Sequence, residues 1–94
     1  MLKDILYKVS IRSVHGDTAI QVSDLQSDSR KLTAGSCFVA IPGTAHDGHK
    51  FIDTAIAAGA TSVVCETLPD NMAHGVTWVQ VENSAMAAGI MAHN

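Results

Sequence analysis

Two polar stretches hold most of the side chains with ligand-binding chemistry. Residues 27–30 read Ser, Asp, Ser, Arg, and residues 44–48 read Thr, Ala, His, Asp, Gly, on either side of one apolar run. Hydroxyl and guanidinium groups bind ligand oxygens, but Asp and Ser also hydrogen-bond within their own loops. The residues alone therefore leave a binding role and a structural role open for each stretch.

The second stretch should leave the carboxyl end of a parallel strand, where open α/β sheets usually bind ligands. Gly43 and Gly48 would let the backbone approach a ligand, and a helix beginning near His49 would offer N–H groups to a phosphate. The first stretch is expected at the opposite end of the same strand. Ser29 would then reach the pocket only if its loop folded back over the sheet.

Other site chemistry has weaker support. His46 and His49 have an H-x-x-H spacing, but no further Cys, Asp or Glu completes a set of three or four metal ligands. Asp28 beside Ser29 could suggest a hydrolytic triad, yet the sequence has no G-x-S-x-G turn. It also has no G-x-x-x-x-G-K-[ST] phosphate loop for a nucleoside triphosphate. If the chain serves an ATP-dependent reaction, the part that holds ATP should therefore lie elsewhere.

The elements that position these stretches follow from hydrophobic periodicity. Apolar residues spaced as on one helix face predict a helix over 2–9, and two β-prone runs, 11–14 and 19–23, predict a hairpin around His15, Gly16 and Asp17. Residues 24–35 are polar and predict a surface loop. Residues 37–41 predict a buried strand that ends at Pro42.

The second half of the chain predicts a βαβ unit. A helix over 49–58, with Asp47 as its N-cap and Gly59 as its stop, lies between the strand at 37–41 and another at 62–65, so these strands should be parallel with a right-handed crossover. A strand over 76–81 and a helix capped by Asn83 follow, with Met86, Ile90 and Met91 expected in the core. The predicted fold is α/β, a small mixed β-sheet containing a βαβ unit and packed with two to three helices.

Composition limits the class of protein. The 94 residues are 47% hydrophobic and 16% charged, which fits one small folded domain and excludes a disordered chain or a membrane span. Nine acidic against six basic residues disfavour a nucleic-acid surface. Cys37 and Cys65 lie in apolar runs and are expected to be buried free thiols, which together with a start unlike a secretory signal favours the cytoplasm.

The order of these residues resembles the N-terminal domain of the Mur ligases, ATP-dependent enzymes that build the peptide stem of peptidoglycan precursors in the bacterial cytoplasm. The resemblance covers nearly the whole chain. It rests on residues 27–30, 34–35, 38–40, Gly43, 47–49, 51–52, 55–56, 59–60, 63–64 and Glu66.

The resemblance implies a site for the uridine and diphosphate of UDP-N-acetylmuramoyl-L-alanyl-D-glutamate. Ser29 would bond a ligand oxygen, and backbone groups of Thr44 and Ala45, with His46 beside them, would meet the uracil edge. Ser27 and Arg30 would line the same site, although Arg30 is equally explained by a salt bridge that anchors its loop. Asp28 is expected to organise that loop.

The resemblance also implies an organisation. Residues 1–82 would be the UDP-substrate-binding domain, and residues 83–94 the start of a linker helix toward a central ATPase domain absent from this chain. The residues near the end of the chain are more similar to those of the ligase that adds the third stem residue. That third residue is expected to be meso-diaminopimelate. The D-Ala-D-Ala-adding ligase and a stand-alone, non-catalytic interaction module are the alternatives.

The cofactors and partners follow from the same resemblance. ATP and Mg²⁺ would belong to the complete ligase, with no cofactor or metal in this part, which should bind and should not catalyse. The partners would be the UDP substrate and the central and C-terminal ligase domains of the same chain, without nucleic acid or membrane.

Overall fold

The computed structural model describes residues 1–43 and 47–94. Its central element is a five-stranded sheet. The strands are β1 (Ile11–His15), β2 (Leu25–Gln26), β3 (Cys37–Val39), β4 (Ser62–Cys65) and β5 (Thr77–Val81), in the spatial order β1-β5-β4-β3-β2. The helices are α1 (Leu2–Ile5), α2 (Ile52–Ala57) and α3 (Ser84–His93), and two 3-10 helices span Ser29–Lys31 and Gly48–Phe51. Thr44, Ala45 and His46 lie outside the described residues.

The βαβ unit is confirmed. Strand β3 runs into α2 and then into β4, and β3 and β4 pair in parallel, with Val39 opposite Val64. Strands β2 and β5 extend the parallel arrangement on either side, while β1 pairs antiparallel with β5. The α/β fold class with a mixed sheet and three helices is therefore as predicted.

Both faces of the sheet are covered, because neighbouring residues on each strand point to opposite sides. Val39, Val64 and Val79 pack on one side with residues of α1 and α3, and Phe38, Val63 and Trp78 pack on the other with residues of α2. Cys37 and Cys65 are buried and free, as expected. Among the described residues, no helix has the length and apolar character needed to cross a membrane.

The predicted hairpin is wrong. β1 pairs with β5 instead of with residues 19–23, and His15 lies opposite Trp78. The chain after Gly16 turns back to α1, where Ile20 O accepts a hydrogen bond from Leu2 N at 2.8 Å. The buried strand β5 offers β1 a longer apolar partner than the short run 19–23, whose Ile20 and Val22 pack at the margin of the core.

Several predicted boundaries also change. Residues 24–35 contain β2 and the first 3-10 helix rather than a loop alone. The helix predicted over 2–9 ends at Ile5, the strand predicted over 37–41 ends at Val39, and the helix predicted over 49–58 begins as a 3-10 helix. Met91 is buried as expected, but Met86 is 64% exposed, so its assignment to the core is wrong.

Candidate functional site

Strand β2 brings the two polar stretches to the same edge of the sheet. Because Gln26 pairs in parallel with Phe38, the stretch 27–30 begins at the carboxyl edge where Ile41 follows β3. A pocket of about 450 Å³ opens there, lined by Ser27, Asp28, Ser29, Arg30, Ile41, Gly48 and Phe51. The expectation that the stretches lie at opposite ends of the strand is therefore wrong. The two residues of β2 run parallel to β3, so the loop that begins at Ser27 lies at the carboxyl edge of the sheet.

Asp28 organises one wall of this pocket, as predicted. It caps the 3-10 helix Ser29–Lys31, and its Oδ1 accepts hydrogen bonds from Arg30 N and Arg30 Nε, both at 3.0 Å. Its Oδ2 accepts from Arg30 Nη2 at 3.0 Å. These hydrogen bonds from Arg30 lower the pKa of the Asp28 carboxyl to about 2. The loop thus holds a fixed carboxylate–guanidinium pair.

The remaining predicted residues of this wall lie at the pocket. Ser29 is half-buried, while Ser27 is exposed. Arg30 makes the loop salt bridge, and its side chain is 87% exposed. Their contacts with a ligand stay predictions, and so do those of Thr44, Ala45 and His46, which lie outside the described residues.

The N–H groups expected to meet a phosphate already have partners. Gly48 N donates to Ile41 O at 2.9 Å, His49 N donates to Asp47 Oδ1 at 3.0 Å, and Lys50 N donates to Asp47 O at 3.0 Å. The prediction of free helix N–H groups is therefore wrong, although Asp47 is the predicted cap. Gly48 is required for a different reason, since a Cβ there would lie 2.6 Å from Ile41 N.

His49 ties this loop to the end of β4. Its Nδ1 lies 2.8 Å from Asp47 Oδ1, and its Nε2 accepts hydrogen bonds from Glu66 N at 3.0 Å and from Thr67 N at 3.3 Å. This pattern requires a neutral ring that carries its proton on Nδ1. Both ring nitrogens are engaged, so His49 has a structural role here rather than that of a metal ligand. The described part of the chain contains no group of three His, Cys, Asp or Glu side chains suited to a metal ion.

Phe51 is a pocket residue that sequence reasoning missed. Its place in the apolar helical pattern predicted packing with Ile52 and Ala55, which are indeed buried. Phe51 itself is 37% exposed and lines the pocket. The sequence feature that could have indicated an exposed Phe51 is its position four residues after the Asp47 cap. A helix often begins with 3-10 winding there, so the spacing of an α-helix does not yet predict which residues are buried.

Helix α3 packs on the same sheet. Asn83 caps it as predicted, accepting a hydrogen bond from Met86 N at 3.0 Å, and Glu66 Oε2 accepts from Ser84 N at 2.8 Å and Ser84 Oγ at 3.0 Å. Ala87 and Met91 are buried against the core. The division between residues 1–82 and 83–94 stays a prediction.

The fold is a small α/β unit with a pocket at the carboxyl edge of its sheet, and comparison with known proteins identifies its family. A sequence model described as "Mur ligase family, catalytic domain" matches residues 21–94. The chain belongs to the Mur ligase family, which confirms the resemblance noted in its residues.

Relatives and solved structures agree with this assignment. The UDP-N-acetylmuramoyl-L-alanyl-D-glutamate–2,6-diaminopimelate ligase of Cytophaga hutchinsonii is 47% identical over 99% of this chain and 19% of its own length. The ligase of the same name from Bacteroides fragilis is 40% identical over 94% of this chain and 18% of its own length. A crystal structure of MurF from Acinetobacter baumannii matches the fold with a TM-score of 0.72 and 23% identity, over 96% of this chain and 19% of that one. The chain spans about a fifth of the length of these proteins.

Proposed function

We propose that this chain is the domain that binds the uridine diphosphate part of UDP-N-acetylmuramoyl-L-alanyl-D-glutamate. It would serve an ATP-dependent ligase that adds the third stem-peptide residue, meso-diaminopimelate, in cytoplasmic peptidoglycan synthesis. The observation that carries the proposal is the pocket at the carboxyl edge of β2 and β3, with Ser27, Ser29 and Arg30 on its wall. Its volume of about 450 Å³ falls in the usual range of ligand sites, roughly 300–1,000 Å³.

Different groups of the site would bind different parts of the nucleotide. The Ser29 hydroxyl donates a hydrogen bond to a ligand oxygen, and Ser27 lies beside it. The Arg30 guanidinium supplies positive charge for the diphosphate, while Asp28 holds its Nε and Nη2 edge in place. Thr44 and Ala45 meet the uracil edge through backbone groups, next to His46. This division suits a ligand with one polar, charged end and one flat ring.

The chemistry of amide-bond formation belongs to the rest of the ligase. In the complete ligase, ATP with Mg²⁺ would supply the phosphoryl group that activates the D-glutamate carboxylate for attack by the incoming amine, with ADP and then inorganic phosphate as the leaving groups. The sequence of this chain has no phosphate-loop motif that fits ATP. Its residues therefore bind and orient one end of the substrate, with the central and C-terminal domains of the same ligase acting on the other.

The choice among ligases of the family rests on the relatives. Those at 47% and 40% identity are named as 2,6-diaminopimelate ligases, whereas the likeness to the Acinetobacter baumannii MurF, at 23% identity, bears on the fold alone. The D-Ala-D-Ala-adding ligase is accordingly the less supported candidate.

An NMR titration of the ¹⁵N-labelled chain with UDP, and with ADP as the control nucleotide, tests the proposal. We expect UDP, but not ADP, to shift amides of residues 27–30, 41, 44–46, 48 and 51. Ser29→Ala should weaken UDP binding, while Ser10→Ala should not, because Ser10 is exposed and lines a different pocket. Equal shifts with both nucleotides would remove uracil recognition from the proposal. The absence of any shift at millimolar UDP would overturn it.

A further inference from the structure

We propose that the Phe51 ring is the surface on which the uracil base stacks. This inference rests on the proposed function, since it assumes that the pocket holds a uridine nucleotide. Phe38 and Trp78 are buried in the core at 0% and 2% exposure, and Tyr7 is not among the pocket residues. Phe51 alone among these aromatic residues lines the pocket, and the residue as a whole is 37% exposed.

The backbone explains why a large aromatic side chain lies at the pocket rather than in the core. Phe51 is the last residue of the second 3-10 helix and the N-cap of α2, with φ −105° and ψ 7°. The chain changes from 3-10 to α-helical winding at this point, and the next residue, Ile52, is 5% exposed and packs in the core. Neighbouring side chains on a helix point about 100° apart, so burying Ile52 leaves Phe51 at the edge.

The segment that carries Phe51 is anchored. Asp47 caps its 3-10 helix, and His49 joins that helix to the backbone of Glu66 at the end of β4. A ring on an anchored segment loses little conformational entropy when a ligand binds, which favours its use as a binding surface.

The pocket wall separates apolar from polar groups in the way that a nucleotide requires. Ile41 and Phe51 provide its apolar side chains, and Ser29 and Arg30 provide hydroxyl and charged groups. A phenyl ring offers no hydrogen-bond donor to a phosphate, but its face stacks on any nucleobase. The ring therefore contributes affinity for the base without itself distinguishing uracil from other bases.

A comparison of UDP with 5,6-dihydro-UDP tests this inference. The dihydro base keeps the hydrogen-bonding edge of uracil but is saturated and puckered at C5 and C6, so it stacks poorly. We expect the wild-type chain to bind UDP more tightly than dihydro-UDP. Phe51→Leu should weaken UDP binding by roughly 5- to 100-fold, the range for loss of one aromatic stacking partner, and should make the two ligands equal within about twofold.

Two further variants and a spectroscopic signature complete the design. Phe51→Trp should keep the preference for UDP, while Tyr7→Leu, the matched aromatic control outside the pocket, should leave both affinities unchanged. The uracil H5 and H6 resonances should move upfield with the wild-type chain and not with Phe51→Leu, because only a stacked ring shields them.

The outcomes separate this inference from the proposed function. If the wild-type chain binds UDP and dihydro-UDP equally, or if Phe51→Leu binds UDP as tightly as the wild type, stacking is wrong and the uridine pocket stands. If the wild type binds neither ligand, the proposed function fails. Should the ¹H–¹⁵N spectrum of Phe51→Leu show an unfolded chain, the dihydro-UDP comparison and the H5 and H6 shifts on the wild type decide.

Discussion

His49 Nε2 lies 3.0 Å from the backbone nitrogen of Glu66 and accepts its hydrogen bond. The two residues are 17 positions apart, and the contact joins the loop beside the pocket to the end of β4. The same Glu66 accepts hydrogen bonds through Oε2 from the N–H and hydroxyl of Ser84, the first residue of α3. One histidine and one glutamate thus connect the pocket loop, the sheet and the last helix.

Replacing His49 should destabilise the fold more than replacing an exposed histidine. His49→Ala leaves the N–H groups of Glu66 and Thr67 without their side-chain acceptor, and losing a hydrogen bond of this kind costs about 0.5–1.5 kcal/mol. Urea unfolding measures the difference. His74→Ala, at an exposed position, should change the free energy of unfolding by less than about 0.5 kcal/mol. Equal stability of the two variants would show that the His49 contacts contribute nothing.

The packing at Gly48 should be more restrictive than the packing at Gly89. A Cβ at Gly48 would lie 2.6 Å from Ile41 N, whereas a Cβ at Gly89 in α3 meets no atom within 4 Å. Gly48→Ala should therefore lower the free energy of unfolding by about 1–3 kcal/mol. Gly89→Ala should raise it by about 0.5–1 kcal/mol, because alanine restricts the unfolded chain and favours helix. The same urea unfolding curves measure both, and a neutral Gly48→Ala would contradict the close approach.

The Asp28 carboxyl should titrate near pH 2. Hydrogen bonds from Arg30 lower its pKa from 3.8 to about 2, so the unfolded state binds the proton more readily than the folded state. The stability that this carboxylate contributes is present above pH 3.8 and is lost as the pH falls toward 2. Carboxyl ¹³C shifts followed through an acid titration measure this pKa directly.

Arg30→Met should separate the causes of that shift. The variant removes the side-chain hydrogen bonds and the charge but keeps a backbone N–H at this position, so the pKa of Asp28 should rise part of the way toward 3.8. The pKa of Asp24 is also lowered, chiefly by the hydroxyl of Ser36, and should stay unchanged. An Asp28 pKa that does not move would contradict the pairing with Arg30.

The two thiols should resist alkylation in the folded chain. Burial raises the pKa of Cys37 and of Cys65 from 9.0 to about 11 in each case, and the thiolate is the reactive form. Iodoacetamide at pH 8 should therefore label them only after unfolding, while an added exposed thiol in Ser10→Cys should react at once. Mass spectrometry counts the labels. Above pH 9.0 the unfolded thiols lose protons before the folded ones do, so stability should fall as pH rises further.

Local features of the fold could be predicted from the sequence, because each depends on residues near one another in the chain. Asp47 and Asn83 cap their helices as expected. Gly59 ends α2 with φ +117°, a conformation that glycine adopts without a Cβ clash. The continuous apolar runs at β3 and β4 identified buried parallel strands.

Pairings between distant residues could not be predicted in this way. The hairpin expectation failed because β1 had a better partner more than sixty residues away, and periodicity carries no information about which strands meet. Phe51 was misplaced because burial on a short helix depends on what packs against it. The position of the first polar stretch depended on β2, whose two residues show no periodic pattern.

The sequence by itself determined the buried strands β3 and β4, the helix caps, the buried thiols and, through residues 27–66, the Mur ligase family. These follow from side-chain chemistry and from spacings of a few residues. Only the tertiary structure decided that Ser29 and Arg30 share a pocket with Gly48 and Phe51. That meeting depends on the parallel pairing of β2 with β3, a long-range contact whose free energy comes from packing the whole sheet.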